Sequence, residues 1–314
     1  MADLTVMFAT FDGARTLPRL LDGLERQTPP PGGWKVIAVD NGGGDGGGHI
    51  LRERTGRLPL TVVSESRRGK SVALNAGLGH VEGDLVVFTD DDVVPPRDWL
   101  VALRALADDR PEYDIFGGAI EPIWPFEPPG WVLRCAPQDY FAWTHFEEGP
   151  VPPAAVWGPN MAVRRKVLDG RRFLEGIGPN GRASYAVGSE TEFLLRAAAD
   201  GHRCWHSPHI VVGHIVEPQQ LTEKWLLQRA RNHARGARRM FGGDRDRWVS
   251  GALPGLIGRY LVALTAVAAA SRRADFETRF KARQAQALIE GDLIECLNLA
   301  WRGTVRPSGA ADAL

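Results

Sequence analysis

Cysteine is scarce and scattered: Cys135, Cys204 and Cys296 are the chain's three, and none lies in a CxxC spacing. That excludes a disulfide framework and a cysteine zinc site, and makes a reducing cytoplasm the expected compartment. An excess of charge of one sign is also lacking. Lys plus Arg and Asp plus Glu each total 38, so formal net charge is zero. There are no internal repeats. A secretory leader is not expected, because Met1-Ala2-Asp3 carries no basic residue and the apolar stretch Leu4 to Ala9 is too short. With 44% hydrophobic and 24% charged residues the chain is neither disordered nor fibrous. Its 314 residues suffice for one large or two small domains, burying roughly three quarters of the unfolded chain's surface.

The charge balance conceals an asymmetry. Residues 1–218 hold 22 basic and 29 acidic side chains, a net −7, whereas 219–314 hold 16 and 9, a net +7. A basic segment of this kind suits anionic lipid, nucleic acid or a polyanionic substrate, and is equally a solvated helix face.

Of what is present, the stretch from Gly83 to Asp92 stands out. Leu85-Val86-Val87-Phe88 is a continuous apolar run, the mark of a parallel strand buried on both faces. It delivers Asp90, Asp91 and Asp92 to the strand's carboxyl edge, where open α/β sheets bind ligands. Three adjacent carboxylates repel one another, and a divalent cation with oxygen ligands, Mg²⁺ or Mn²⁺, offsets that cost. A solvated acidic turn before Pro95 and Pro96 is the alternative.

Around this run, strands are predicted over Leu4 to Ala9, Trp34 to Val39 and Leu60 to Val63. Helices are predicted from Leu17 to Gln27, where Leu17, Leu20, Leu21 and Leu24 recur at helical spacing, and from Ser71 to Leu78. Strands and helices thus alternate, which implies a doubly wound, mostly parallel α/β sheet. Further on come a helix from Trp99, a strand Ile115 to Ile120, an irregular Pro- and aromatic-rich stretch Trp124 to Pro153, a short strand at Met161, a helix Glu190 to Ala199 and a strand Ile210 to Val216. From Leu221 the pattern is helical, ending in a frayed tail from Arg306 to Leu314.

Six motifs fall in an order that resembles the family 2 glycosyltransferases of GT-A fold. They are Thr10 with Gly13; Val39-Asp40-Asn41 with Asp45; Arg68-Gly69-Lys70-Ser71 through Asn75-Ala76-Gly77; Thr89-Asp90-Asp91-Asp92; Asn160-Met161-Ala162-Val163; and Gly188-Ser189-Glu190-Thr191-Glu192. The resemblance covers about Leu4 to Val216. It implies a Rossmann-like GT-A domain over 1–218, with a donor half of about 1–120 and an acceptor half of about 121–218, followed by a helical C-terminal region, 219–314.

The resemblance also implies an inverting, hexosyltransferase-type, metal-dependent enzyme that uses a nucleotide-diphosphate sugar, uridine-linked, in exopolysaccharide or surface-glycan assembly. Thr10, Asp40, Arg68, Lys70, Asp90 and Asp91 would bind the donor, with Asp91 the variable middle acid and expected to be solvated. Asp92 and His214 would hold Mn²⁺ or Mg²⁺. Glu190 would be the base, its pKa raised by enclosure, while Glu192 would be structural. Trp157 and Asn160 would line the acceptor and sugar pocket. The glycine-rich loop Gly42 to Gly48 departs from the family pattern by having only glycine near 43; greater mobility is expected, and Asp45 is left without a role. Of Arg229 and Arg231, at most one is expected to reach the diphosphate.

The expected partners are the donor and a glycan or lipid-linked glycan acceptor, with no nucleic acid. Leu253 to Ala270 is too interrupted by Arg259 to span a bilayer, but suits either an interfacial helix in peripheral contact with the inner face of the membrane or burial against the catalytic domain. A sugar nucleotidyltransferase and an inactive glycan-binding protein are the rival readings.

Overall fold

In the computed structural model of the chain, residues 3–144, 146–241 and 245–304 are described. The predicted tail from Arg306 lies outside them. Two compact units are present. One runs up to Pro129 and includes Pro137–Arg182 and Ser189–Pro218; the other comprises Gly130–Ala136, Ala183–Gly188 and the chain from Gln219. Two short segments before residue 218 therefore group with the C-terminal region.

In chain order the elements through residue 215 are β1 (Leu4–Thr10), α1 (Leu17–Glu25), β2 (Trp34–Asp40), α2 (Gly47–Arg54), β3 (Leu60–Ser64), α3 (Lys70–Gly77), β4 (Leu85–Phe88), β5 (Val93–Val94), α4 (Trp99–Asp109), β6 (Ile115–Ile123), α5 (Gly130–Cys135), β7 (Gly149–Val151), β8 (Met161–Arg164), α6 (Ser189–Ala199) and β9 (Cys204–Ile215). All except α5 belong to the first unit. Their strands form one nine-stranded sheet ordered β3-β2-β1-β4-β8-β6-β9-β5, with β7 on β9. The half from β3 to β4 is wholly parallel. Beyond it β8 enters antiparallel to both β4 and β6, while β6 and β9 are parallel, so the sheet as a whole is mixed.

The apolar runs are buried on both faces because their side chains alternate. Leu4, Val6 and Phe8 of β1, with Val36, Ala38, Leu85 and Val87, join the leucines of α1 and Trp99, Leu100 and Leu103 of α4 in one core. Met7, Ile37, Val39, Val86 and Phe88 point the other way, into a second core with Ala73 and Leu74 of α3 and Phe193 and Leu194 of α6. Each fully buried apolar side chain contributes about 1.5–3 kcal/mol, which fixes the register and with it the residues delivered at the carboxyl edge.

Two departures from the sequence reading have local causes. The glycine-rich loop runs into α2, whose eight residues bury only Gly47 and Leu51 and so give no periodic signal. Strand β9 starts at Cys204 rather than near Ile210, because a register shift opposite Gly118 and Ala119 lets it pass a polar stretch containing Pro208.

The second unit is α5, α7 (Glu223–Phe241), α8 (Arg245–Arg273) and α9 (Phe276–Thr304). Ion pairs join α7 to α9: Arg231 to Glu290 at 2.6 Å, Arg235 to the fully buried Glu295 at 2.9 Å, Arg239 also to Glu295, and Arg238 to Asp292. Arg231 is thereby committed within the helix pair, whereas Arg229 donates to the Tyr185 hydroxyl at 3.2 Å.

Candidate active site

Register builds the site. Thr10 lies opposite Asp40 on β2, and Met7 lies opposite Phe88 on β4. Continued past the end of β4, that pairing brings Asp91 level with Thr10, whose hydroxyl donates to Asp91 Oδ2 at 2.5 Å. Thr10 is only 3% exposed. A Cβ at Gly13 would collide with both side chains. Asp91 is therefore not the solvated carboxylate expected of it. Burial, reinforced by the adjacent Asp92, pushes its pKa up to about 7. Thr10, expected at the donor, is bonded to this acid.

Asp92 is turned the other way by β5. That two-residue strand pairs antiparallel with β9, with Val93 opposite His214, and Ile215 N–H donates to the Asp92 carbonyl at 2.8 Å. His214 Nε2 consequently stands 3.3 Å from Asp92 Oδ2. Burial works against the Asp92 carboxylate, but the imidazole beside it reverses this and holds its pKa below the ordinary value. The other oxygen, Oδ1, is buried without a hydrogen-bond partner among the described residues.

Asp90 meets a cation from α3. Lys70 Nζ lies 2.5 Å from Asp90 Oδ1 and 2.6 Å from Glu190 Oε1, spanning the two acids. Burial alone would lower the ammonium's pKa, but the two carboxylates raise it. At Asp90 burial prevails over Lys70, and the pKa is raised. Glu190 is lowered: burial opposes its charge, while Lys70 and the Ser189 hydroxyl, donating to Oε2 at 2.7 Å, favour it. The expectation of a raised base is thus reversed, because enclosure brings a lysine with it. Glu190 sits in the first turn of α6, where a helix dipole also favours negative charge. Gly158 makes room for it; a Cβ there would come within 2.7 Å of Oε1.

The motif from Arg68 to Gly77 holds this arrangement. Ser71 donates to the Ile177 carbonyl at 2.7 Å, and the Asn75 amide bonds Phe173 both ways, at 2.9 and 2.8 Å. Both fasten the segment after β8 over α3. Gly77 lets α3 approach the sheet, since a Cβ would meet Met7 Sδ at 2.7 Å. Arg68 is exposed, its guanidinium 5.3 Å from the Phe11 ring centroid.

At the end of β2, Asp40 Oδ1 accepts from Gly42 N–H at 3.2 Å. The neighbouring Asn41, to which the sequence assigned no role, is 2% exposed and bonds the Glu65 and Arg67 carbonyls and Gly69 N–H. The glycine-rich loop is tied down, contrary to expectation. Asp45 accepts from Ala14 N–H at 2.7 Å and Gly47 N–H at 3.0 Å, and Asp12 accepts from Gly44 N–H at 3.2 Å. Gly43 is the residue that fits, since a Cβ would lie 2.5 Å from Asp12 N.

Asn160 does not line a pocket. It has no exposed surface, accepts from the Trp99 indole at 2.9 Å and donates to the Ala119 and Ile210 carbonyls at 2.8 Å each. Trp157 remains half-buried, its indole donating to Ala154 O at 2.7 Å. Glu192 pairs with Arg196 one turn on, at 2.6 Å. Among the described residues no group of three or more His, Cys, Asp or Glu side chains has the arrangement of a complete metal site.

A parallel half-sheet with carboxylates at its edge, completed by antiparallel strands and followed by helices, is the GT-A glycosyltransferase fold. Solved structures share it. A 1–349 fragment of S. aureus TarS, in complex with UDP-GlcNAc, superposes with a TM-score of 0.56 over 92% of this chain and 90% of that one, at 15% identity. The chain spans 55% of the longer TarS chain. The mannosyltransferase PcManGT of Pyrobaculum calidifontis, solved with GDP-Man and Mn²⁺, gives 0.53 over 98% of this chain and 76% of that one, at 21% identity. Glycosyltransferase AglE of Haloferax volcanii is 27% identical over 217 residues, 68% of this chain and 67% of AglE. Residues 5–170 match the family model described as glycosyl transferase family 2, and the chain belongs to that family.

Proposed function

We propose that this glycosyltransferase moves a hexose from a nucleoside-diphosphate sugar, uridine-linked, to an acceptor hydroxyl, with inversion at the anomeric carbon. The observation that carries the reading is Lys70, held between Asp90 and Glu190 beside Asp92 and His214. The UDP-GlcNAc and GDP-Man complexes of the two structural neighbours support the donor class.

In this reading Asp40 and Asp90 contact the nucleoside and sugar, and Arg68 and Lys70 approach the diphosphate. Glu190 takes the acceptor's proton as its oxygen bonds the anomeric carbon; the bond to the diphosphate breaks, and its electron pair leaves with the nucleotide. A single displacement inverts the centre. Trp157 offers a flat ring to the sugar or acceptor.

Asp92 Oδ1, buried and lacking a partner, and the neighbouring imidazole of His214 suit a divalent cation, Mn²⁺ better than Mg²⁺ because of the nitrogen. Such a cation would neutralise charge on the leaving diphosphate. The division into a donor half of about 1–120, an acceptor half of about 121–218 and a helical appendage belongs to the same reading. So does a cytoplasmic role in surface-glycan assembly, which the three buried free thiols suit.

A thermal-shift screen of nucleotide sugars with and without Mn²⁺ tests this. The melting point should rise with UDP-sugars and rise further with Mn²⁺; a shift independent of both nucleotide and metal contradicts the reading.

A further inference from the structure

Helix α8 breaks the rule that an exposed helix face is polar. Ala252–Arg272 has a mean hydropathy of 1.6, yet only 11% of its most apolar stretch is buried. One side packs inward through Leu256, Tyr260, Ala263 and Val267. The outward side is apolar too: Ile257, Leu261, Val262 and Leu264 are 45, 56, 68 and 40% exposed, and Gly258, Ala266, Ala268 and Ala269 are exposed beside them. From Ala252 to Ser271 Arg259 is the sole ionisable group apart from the Tyr260 phenol.

We propose that this face is the docking surface for an anionic phospholipid bilayer, on which α8 lies in the interface rather than spanning. Two observations choose the occupant. The first is charge. Arg272, Arg279, Lys281 and Arg283 are exposed where α8 ends and α9 begins, and residues 219–314 carry +7 overall. Anionic headgroups attract such an end, whereas a second copy of residues 219–314 would bring +7 against +7. The second is how α8 is held. It packs along α9, which carries Glu290, Asp292 and Glu295 in ion pairs with α7. A spanning orientation would drag those charges into hydrocarbon. Insertion of the apolar face by a few ångströms leaves them in water and buries Leu261 and Val262.

The test is flotation of the full-length protein with vesicles of phosphatidylcholine alone and of phosphatidylcholine mixed with phosphatidylglycerol, beside light scattering without lipid. Binding to the mixed vesicles is expected, falling with salt, with a monomer in the absence of lipid. The double variant Leu261→Glu, Val262→Glu should abolish binding while its circular dichroism melt is unchanged, since both positions are solvent-facing. Arg272→Gln should weaken binding roughly fivefold. Failure to float with the mixed vesicles overturns the proposal. So does binding that the double variant retains, or a dimer that the double variant dissociates, which would make a second copy the occupant.

Discussion

Lys70 Nζ stands 2.6 Å from Glu190 Oε1, so the acid assigned to proton transfer is the partner of a half-buried cation. The same ammonium reaches Asp90 at 2.5 Å. In the proposed reaction a donor diphosphate would compete for that cation, which would make Lys70 the group through which donor binding changes the basicity of Glu190.

Replacing the cation tests this. In Lys70→Met, burial is opposed chiefly by the Ser189 hydroxyl, and Glu190 should titrate higher than in the native enzyme. The acid limb of the kcat/KM against pH profile should move up. The linkage signs agree. Glu190, with a lowered folded pKa, stabilises above its ordinary 4.5 and loses this as pH falls through the folded value. Lys70, raised, stabilises below its ordinary 10.5 and loses this only as pH rises through its folded value. The pair's own contribution is flat between, but Lys70 also holds down the pKa values of Asp90 and Asp91, so the cost of Lys70→Met in denaturant melts should grow as pH rises through neutrality.

Asp91 behaves oppositely. Its folded pKa, about 7, exceeds the ordinary 3.8, so the folded state holds its proton through that window and stability from this group falls as pH rises across it. Asp91→Asn keeps an acceptor for Thr10 and removes the charge. In metal-free protein the variant should melt above wild type at pH 8 and level with it below pH 4.

Asn160→Ala separates support from chemistry. It strands the Trp99 indole and the Ala119 and Ile210 carbonyls, costing about 2 kcal/mol or more. The melting temperature should drop by roughly 4–8 °C, while donor affinity of the folded fraction, measured by calorimetry, stays unchanged.

Gly158→Ala does the reverse. The new Cβ meets the Glu190 carboxylate rather than backbone, so kcat should fall with little change in melting temperature. Normal turnover would show that the position of Glu190 is not critical.

The parallel half of the sheet was legible because Leu85 to Phe88, Trp34 to Val39 and Leu4 to Ala9 are continuous apolar runs, and the alternation that fills two cores makes their register nearly obligatory. Helix α2 was not, since Gly47, Gly48, Arg52 and Arg54 carry no apolar period. Nor was the start of β9, where the bulge hides the pairing of Cys204 to Ser207. At the site, residue types pointed to the edge cluster, but partners depend on register and on chains distant in sequence. Thr10 meets Asp91 across 81 positions, and Asn160 meets Trp99 across 61. The residue the sequence treated as a bystander proves bonded, and the one it assigned to a pocket proves buried.

The most direct measurement of the central claim is transfer by Glu190→Gln alongside donor affinity by calorimetry. The substitution is nearly isosteric and keeps an acceptor for Ser189. Transfer should fall by about 10²- to 10⁴-fold while the UDP-sugar, with Mn²⁺, binds at least as tightly as to wild type, since Lys70 loses a competing carboxylate. Transfer at the native rate by a folded Glu190→Gln protein would contradict the account.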